Sequence, residues 1–347
     1  MSKRYKVGIV GTGAVGAELV KVIRERNFPI SELRIIARSE RDEIIAGEKF
    51  HVYKASPEQF EGLDIALFAG TEGEKGASRT YGWEAVSRGV IVIDNGDDFR
   101  MDPRVPLVIP EINAYALEKH QGFISNPNCS TIIALMAIAP LDRVARVKRM
   151  VVSTYQSVSG TGAPAIRELE RQLKQYVSGE KLTIEVYPHQ IAMNLFPHIG
   201  SLKPELPGYT SEEAKMLFET RKILNRADIQ VSATCVRVPV FYGHSISINA
   251  EFEQKLTPQE AREFLSKAPG VKVADDISSN VYPMPLLVEG KDEVLVGRIR
   301  EDFTVSNGLV LFVAGDNIRK GAALNAVQIA EELIRRNLLR ISSQETF

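Results

Sequence analysis

A chain of 347 residues, 44% hydrophobic and 25% charged, is longer than one hydrophobic core normally supports and reads as two domains. Its formal net charge of -1 excludes a bulk electrostatic affinity for nucleic acid or membrane surfaces. Two cysteines, Cys129 and Cys235, exclude a disulfide framework and a cysteine-built zinc site, and they fit a reducing, cytoplasmic setting.

The opening MSKRYKVGIVG does not resemble a signal peptide. The longest apolar run, Ile132 to Leu141, is too short to span a bilayer. YKVGIVGTGAVGAELVKVI reads as strand, glycine turn and amphipathic helix, and Gly11, Gly13 and Gly16 match G-x-G-x-x-G in that setting. Glycines let the backbone approach a pyrophosphate whose charge sits at the helix N-terminus. The loop Gly11, Thr12, Gly13, Ala14, Val15, Gly16 is therefore the expected dinucleotide cradle. A second strand, 32–37, ends where NAD sites normally carry a ribose-reading carboxylate. Arg38, Ser39 and Arg41 stand there instead and favour the 2′-phosphate of NADP, while Glu40, Asp42 and Glu43 dilute the positive charge.

Further strands are expected at 64–70, 90–96 and 107–110. Their alternation with helices predicts an α/β fold with a Rossmann-type doubly wound, mainly parallel sheet. DNGDDFRMDPRVPLVIPEIN follows the carboxyl end of one strand, the edge where such sheets bind ligands. After about residue 140, VKRMVVSTYQSVSG, IQVSATCVRVPV and GHSISINAEF carry β-branched alternation between helices at 163–178 and 211–225. This predicts a second, α+β domain. The last helix, 319–337, has apolar residues at helical spacing: Leu324, Val327, Ile329, Ala330 and Leu333.

Cys129 lies in SNPNCST, before the apolar run. A cysteine at a helix N-terminus feels the charge of unpaired N–H groups, which lowers its pKa. Asn126 or Asn128 can cap that helix, and the Asn128 amide can face a bound carbonyl. Free cysteines are also among the most buried residues, so position alone leaves both readings open. Of five histidines, His51 and His120 read as surface residues, and His189 and His198 flank a structural segment, QIAMNLFPHIG. His244 differs: Arg237 ends one strand-like run and His244 begins the next, and a hairpin-like return would hold both near one site. Pairing Cys129 with His244 is one option among several, because nucleophile and base need not be near in sequence.

SNPNCST, STYQSVSGTG, TSEEAKMLFETRKIL, VSATCVRVPVFYGHS, VGRIREDF and DNIRKGAALNAVQIAEEL occur in that order. Together, over essentially the whole chain, they resemble bacterial-type aspartate-semialdehyde dehydrogenase. The resemblance implies NADPH-dependent conversion of 4-aspartyl phosphate to L-aspartate 4-semialdehyde, in lysine, threonine and methionine biosynthesis. By the matching motifs, Cys129 is the nucleophile that forms an acyl-thioester, His244 the general acid/base and Gln156 the residue orienting substrate and cysteine. Arg237 holds the substrate α-carboxylate, as a bidentate fork would. Arg100 and Lys215 bind phosphate, and Glu212 binds the substrate amine. Asn317 touches the nicotinamide, and Ser159 and Gly160 form a loop near the cofactor. TSEE is also a capping box of Thr210 and Glu213, which leaves Glu212 for the ligand. The implied domains are 1–130 plus 318–347 for NADP and 131–317 for catalysis and dimerisation, with Cys129 at the junction. The implied assembly is a homodimer or a dimer of dimers, with no metal.

Three features depart from that pattern. The phosphate loop GTGAVG is one residue shorter than usual. DNGDDFR replaces two hydroxyls by Gly96 and Asp97, with Asp98 alongside, and these carboxylates are expected to repel phosphate or compete for Arg100. TEGEKGASR brings Glu72 toward the expected cofactor face. Two other readings stay in view. One is N-acetyl-γ-glutamyl-phosphate reductase, whose cysteine motif is typically N-P-G-C-Y and whose acetylated amine has no need of Glu212. The other is a non-catalytic paralogue with altered anion loops.

Overall fold

In the computed structural model, which describes residues 3–70 and 76–339, the aliphatic runs between glycine turns form a seven-stranded sheet. Its strands are β1 (Tyr5–Val10), β2 (Ile30–Ala37), β3 (Arg41–Ile45), β4 (Glu48–Lys54), β5 (Ile65–Phe68), β6 (Ile91–Asp94) and β7 (Phe123–Ser125). Their order is β3-β4-β2-β1-β5-β6-β7, and all neighbours are parallel except β3 and β4. Side chains alternate along β5. Ile65 and Leu67 join a cluster with helices Ala14–Glu25 and Leu324–Arg335, while Ala66 and Phe68 join Phe60, Val92 and Phe123 in another. Both faces are covered, so β5 and β6 are buried throughout and read as continuous apolar runs.

Several details differ from the sequence reading. The β3–β4 hairpin was not foreseen. Among its strand residues only Ile45 and Val52 are buried, so apolar alternation is weak, and Ala46 and Gly47 turn the chain at φ of 51° and 83°. Residues 107–110 are not a strand: Leu107 makes one isolated bridge to Ser125, and Pro110 starts a short helix, Pro110–Asn113. The final helix begins with a wide turn at Arg319–Ala323 before regular α-helix from Leu324. His120 is buried, not a surface residue. Gly122 N–H donates to its Nδ1 and its Nε2 faces the Leu338 carbonyl, and burial lowers its pKa.

Packing divides the chain into one unit that runs to Asn128 and resumes at Ala322, and a second from Cys129 to Gly321. The second unit opens with helix Cys129–Ala145, in which Ile132, Ile133, Leu135, Ile138 and Leu141 are fully buried. A helix apolar all round is a core helix. Its sheet has strands β8 (Val147–Gln156), β9 (Gln230–Arg237), β10 (His244–Phe252), β11 (Val271–Val273), β12 (Val294–Glu301) and β13 (Gly308–Gly315). The order is β11-β12-β13-β10-β8-β9. Pairs β8–β9 and β11–β12 are parallel and the rest antiparallel. Helices Ala163–Ser178 and Ser211–Leu224 match the expected spans closely. Among the described residues, no helix is long and apolar enough to cross a membrane.

Candidate active site

Strand register in the second unit gathers the chemistry. Gln156 on β8 lies opposite Arg237 on β9, Tyr155 opposite Ser245 on β10, and His244 opposite Gly315 on β13. The ends of β8, β9 and β13 and the start of β10 therefore share one sheet edge. That edge carries Gln156, Arg237 and His244, with Asn317 two residues beyond Gly315. The hairpin expected between Arg237 and His244 does not form, because β8 lies between β9 and β10. The residues meet because β9 ends where β10 begins. Arg237 Nη1 donates to the Ser157 carbonyl at 2.6 Å. A Cβ on Gly160 would lie 2.9 Å from that nitrogen and 3.4 Å from the His244 ring, so Gly160 packs against both.

Helix Ser211–Leu224 brings acid and base to the same edge. Thr210 and Glu213 form the expected capping box, and Glu213 also accepts the Cys235 backbone N–H. Glu212 is buried, accepts from Gln156 Nε2 at 3.2 Å and lies 3.5 Å from Lys215 Nζ. Glu212 and Lys215 are thus a largely buried pair, not a solvated i,i+3 couple.

His244 is fully buried, and its two nitrogens differ. Nδ1 accepts the Ser157 backbone N–H at 3.1 Å and lies 3.0 Å from Ser157 Oγ, whereas Nε2 has no hydrogen-bond partner. Burial first, then the Arg237 charge, pushes its pKa down to about 3 against the opposing effect of Glu212. The imidazole is neutral at rest. Asn317 Oδ1 accepts from Ser157 Oγ, Ser159 Oγ and Gly243 N–H, each at 3.1 Å.

Of the two cysteines, Cys235 is buried, and burial raises its thiol pKa, whereas Cys129 is partly exposed. Gly321, which the sequence reading missed, sets the space around Cys129. A Cβ there would lie 2.7 Å from Cys129 Cβ and 3.2 Å from its Cα. Gly321→Ala is expected to shift the thiol, lowering kcat about 10²-fold and stability by about 1–3 kcal/mol. Steady-state kinetics and thermal melting check this. The only sequence signal was a glycine inside the helical pattern of RKGAALN.

The first unit holds the glycine loop. Gly11 has φ of 112°, and a Cβ on Gly16 would lie 2.1 Å from the Gly11 carbonyl oxygen. Gly13 precedes helix Ala14–Glu25, has open space where a side chain would be, and leaves that helix without a side-chain cap. A helix N-terminus without a side-chain cap, with open space beside Gly13, fits a dinucleotide pyrophosphate. At the end of β2, Arg38 and Ser39 are exposed. Arg41 ties the region together, donating to Thr12 Oγ1 at 2.8 Å, to the Ser39 carbonyl and hydroxyl, and to Glu43.

Arg100, also in this unit, is buried and donates from Nη2 to the Asn95 carbonyl. Its loop is held below by Asp94, which accepts from Ser78 Oγ at 2.7 Å and Gly96 N–H at 2.8 Å. Burial pushes the Asp94 carboxyl up to about 6. Asp98 accepts from Arg79 Nε at 2.7 Å, which offsets the charge expected to oppose phosphate. Asn128 is buried and directly precedes the Cys129 helix. Asn126 accepts from Asn325 Nδ2 at 2.7 Å. Glu72 lies outside the described residues.

Comparison with known proteins agrees along the chain. Residues 6–120 match the family model "Semialdehyde dehydrogenase, NAD binding domain" and residues 138–320 match "Semialdehyde dehydrogenase, dimerisation domain". The chain is 50% identical to aspartate-semialdehyde dehydrogenase of Aquifex aeolicus over 96% of its own length and 99% of that protein. It is similar to the crystal structure of aspartate semialdehyde dehydrogenase II from Vibrio cholerae, with TM-score 0.89 and 40% identity over 96% of this chain and 99% of that one. The same Vibrio enzyme complexed with ASA gives TM-score 0.89 at 39% identity, with the same coverage. With that identity over nearly the full length of both chains, this protein belongs to the aspartate-semialdehyde dehydrogenase family.

Proposed function

We propose that this protein reduces 4-aspartyl phosphate to L-aspartate 4-semialdehyde with NADPH, through a thioester on Cys129. One observation carries the reading: a buried neutral histidine with an unpartnered Nε2 shares a sheet edge with Arg237 and the Gln156–Glu212–Lys215 chain, in the unit that Cys129 opens.

Arg237 takes the α-carboxylate, and Glu212 takes the α-ammonium group. An acetylated amine gives Glu212 nothing to bind, which disfavours the N-acetyl-γ-glutamyl-phosphate substrate. Gln156, with its amide already on Glu212, steers the acyl carbonyl toward the thiol, and Asn128 offers that carbonyl an amide donor. His244 Nε2 takes the thiol proton. The thiolate attacks the acyl carbon, the C–O bond to phosphate breaks, and phosphate leaves with its charge held by Arg100 and Lys215. A bound nicotinamide cofactor supplies the hydride that reduces the thioester. His244 manages the proton on the resulting thiohemiacetal oxygen as the C–S bond breaks and the aldehyde leaves. Ser159, Gly160 and Asn317 border the face where the nicotinamide would lie.

The glycine loop Gly11–Gly16 holds the pyrophosphate, and Arg38, Ser39 and Arg41 hold the 2′-phosphate of NADP. Arg41 is already oriented by Thr12 and Ser39, and the incoming phosphate displaces Glu43 from it. Arg41→Ala is expected to raise KM for NADPH roughly 10- to 100-fold, the scale of a charge-assisted hydrogen bond, with KM for NADH little changed. Initial rates with both cofactors check this. The protein acts as a homodimer, consistent with its match to a dimerisation-domain model and with the exposed Tyr155 beside Phe312 on the second sheet.

The test is NADP⁺ reduction in the presence of aspartate semialdehyde. A rate that requires phosphate supports the reading. Folded protein that binds NADP⁺ and gives no rate at any phosphate concentration contradicts it.

A further inference from the structure

His244 sits on a hydrogen-bond hub that the proposed steps do not use. Ser157 Oγ lies 3.0 Å from His244 Nδ1, 3.0 Å from Ser159 Oγ and 3.1 Å from Asn317 Oδ1. Ser157, Ser159, His244 and Asn317 are all buried. The Gly243 backbone N–H donates to Asn317 Oδ1, so that side of the amide is the oxygen. An amide oxygen only accepts. The Ser157 hydroxyl proton is therefore drawn to Asn317, and its lone pairs turn toward the ring. At the same place the Ser157 backbone N–H points at Nδ1. A backbone N–H only donates, so the resting neutral ring carries its proton on Nε2.

That resting tautomer poses a problem for proton transfer. To take the thiol proton, Nε2 must present a lone pair, which puts the ring proton on Nδ1. After the transfer the imidazolium carries protons on both nitrogens. In either state the Nδ1 proton faces the Ser157 N–H, and it needs an acceptor. Building on the proposed role of His244, we infer that Ser157 is a positioning residue whose hydroxyl, its own proton held by Asn317, accepts the Nδ1 proton and lets the buried ring act as both base and acid. No bond to substrate is involved: once the ring proton has passed from Nε2 to Nδ1, where Ser157 Oγ accepts it, one proton moves between Nε2 and the thiol and later between Nε2 and the thiohemiacetal oxygen. Two charged groups act on the ring. Arg237, from the end of β9, opposes protonation, and Glu212, from helix Ser211–Leu224 and paired with Lys215, favours it. Neither bonds to Nδ1 in the structure, and the Gly243 backbone adds a smaller effect in favour of the protonated ring.

The test compares Ser157→Ala with Ser157→Cys. Alanine removes one buried oxygen and keeps the backbone N–H, and cysteine keeps the bulk but is a weak acceptor. Both are expected to lose kcat about 10- to 100-fold, the scale of a hydrogen bond to a charged group, with KM for substrate and NADPH within about twofold. The acidic limb of the kcat profile, which reports protonation of the neutral ring, is expected to move to lower pH, because the cation loses its acceptor. A merely structural role would not move that limb. An unchanged kcat and pH profile in whichever variant folds, judged by melting and NADP⁺ binding, overturns the inference. So does a loss of kcat with the acidic limb in place. His244→Asn run in parallel separates the two claims: if it is fully active, the role of His244 itself is wrong, whereas an inactive His244→Asn beside a normal Ser157→Ala rejects only the role of Ser157.

Discussion

Cys129→Ala is expected to lower kcat by about 10⁴- to 10⁶-fold, the range seen when a covalent nucleophile is removed, while the protein keeps its fold and its NADPH affinity. The side chain is small and partly exposed, so truncation leaves little cavity behind. Helix Cys129–Ala145 is fixed by residues further along, from Ile132 to Leu141, and by Thr131, whose hydroxyl contacts Met216 Sδ. None of these depends on the thiol. The other cysteine cannot substitute, because Cys235 is buried with its thiol pKa raised. Stopped-flow and steady-state assays, with thermal melting as the control, check the expectation. A residual rate within tenfold of the parent protein would show that Cys129 is not the nucleophile.

His244→Asn is expected to cost about 10²- to 10⁴-fold in kcat, the usual range for a positioned acid–base group. Its KM values are expected to change little, because Arg237, Glu212 and the glycine loop remain. The same variant has a stability signature whose sign follows from the depressed pKa. Unfolded, the histidine titrates near 6.5. Folded, it does so at about 3. Between those values the unfolded chain binds a proton that the folded chain does not, so stability falls as pH falls through that window. His120, also lowered by burial, acts in the same direction. His244→Asn removes its share, so the stability difference between pH 7 and pH 5 is expected to shrink. Urea unfolding at the two pH values measures it.

How much of this was readable in the sequence depends on whether a residue's role is local. The glycine loop was legible because its meaning lies within one strand–turn–helix unit, and β5 and β6 because strands covered on both faces are continuously apolar. The β3–β4 hairpin was missed because only Ile45 and Val52 among its strand residues are buried. His120 was misread because its burial comes from Leu338, far along the chain. Motif resemblance marked Arg237 and His244, but the reason they meet was wrong: a shared sheet edge replaces the hairpin, and sheet order is set by pairings between distant segments. Gly321 and the Ser157–Asn317 hub matter through contacts across long separations, where residue type alone says little. The pairing of Asp98 with Arg79, 19 residues earlier, likewise has no local sequence signal.

The most direct test of the central claim is a single-turnover experiment with 4-aspartyl phosphate and no reduced cofactor. The reading expects a burst of one phosphate per active site and one aspartyl group on the peptide carrying Cys129, discharged as aspartate semialdehyde when NADPH is added. Release of phosphate without an adduct, or an adduct on any other residue, would contradict it.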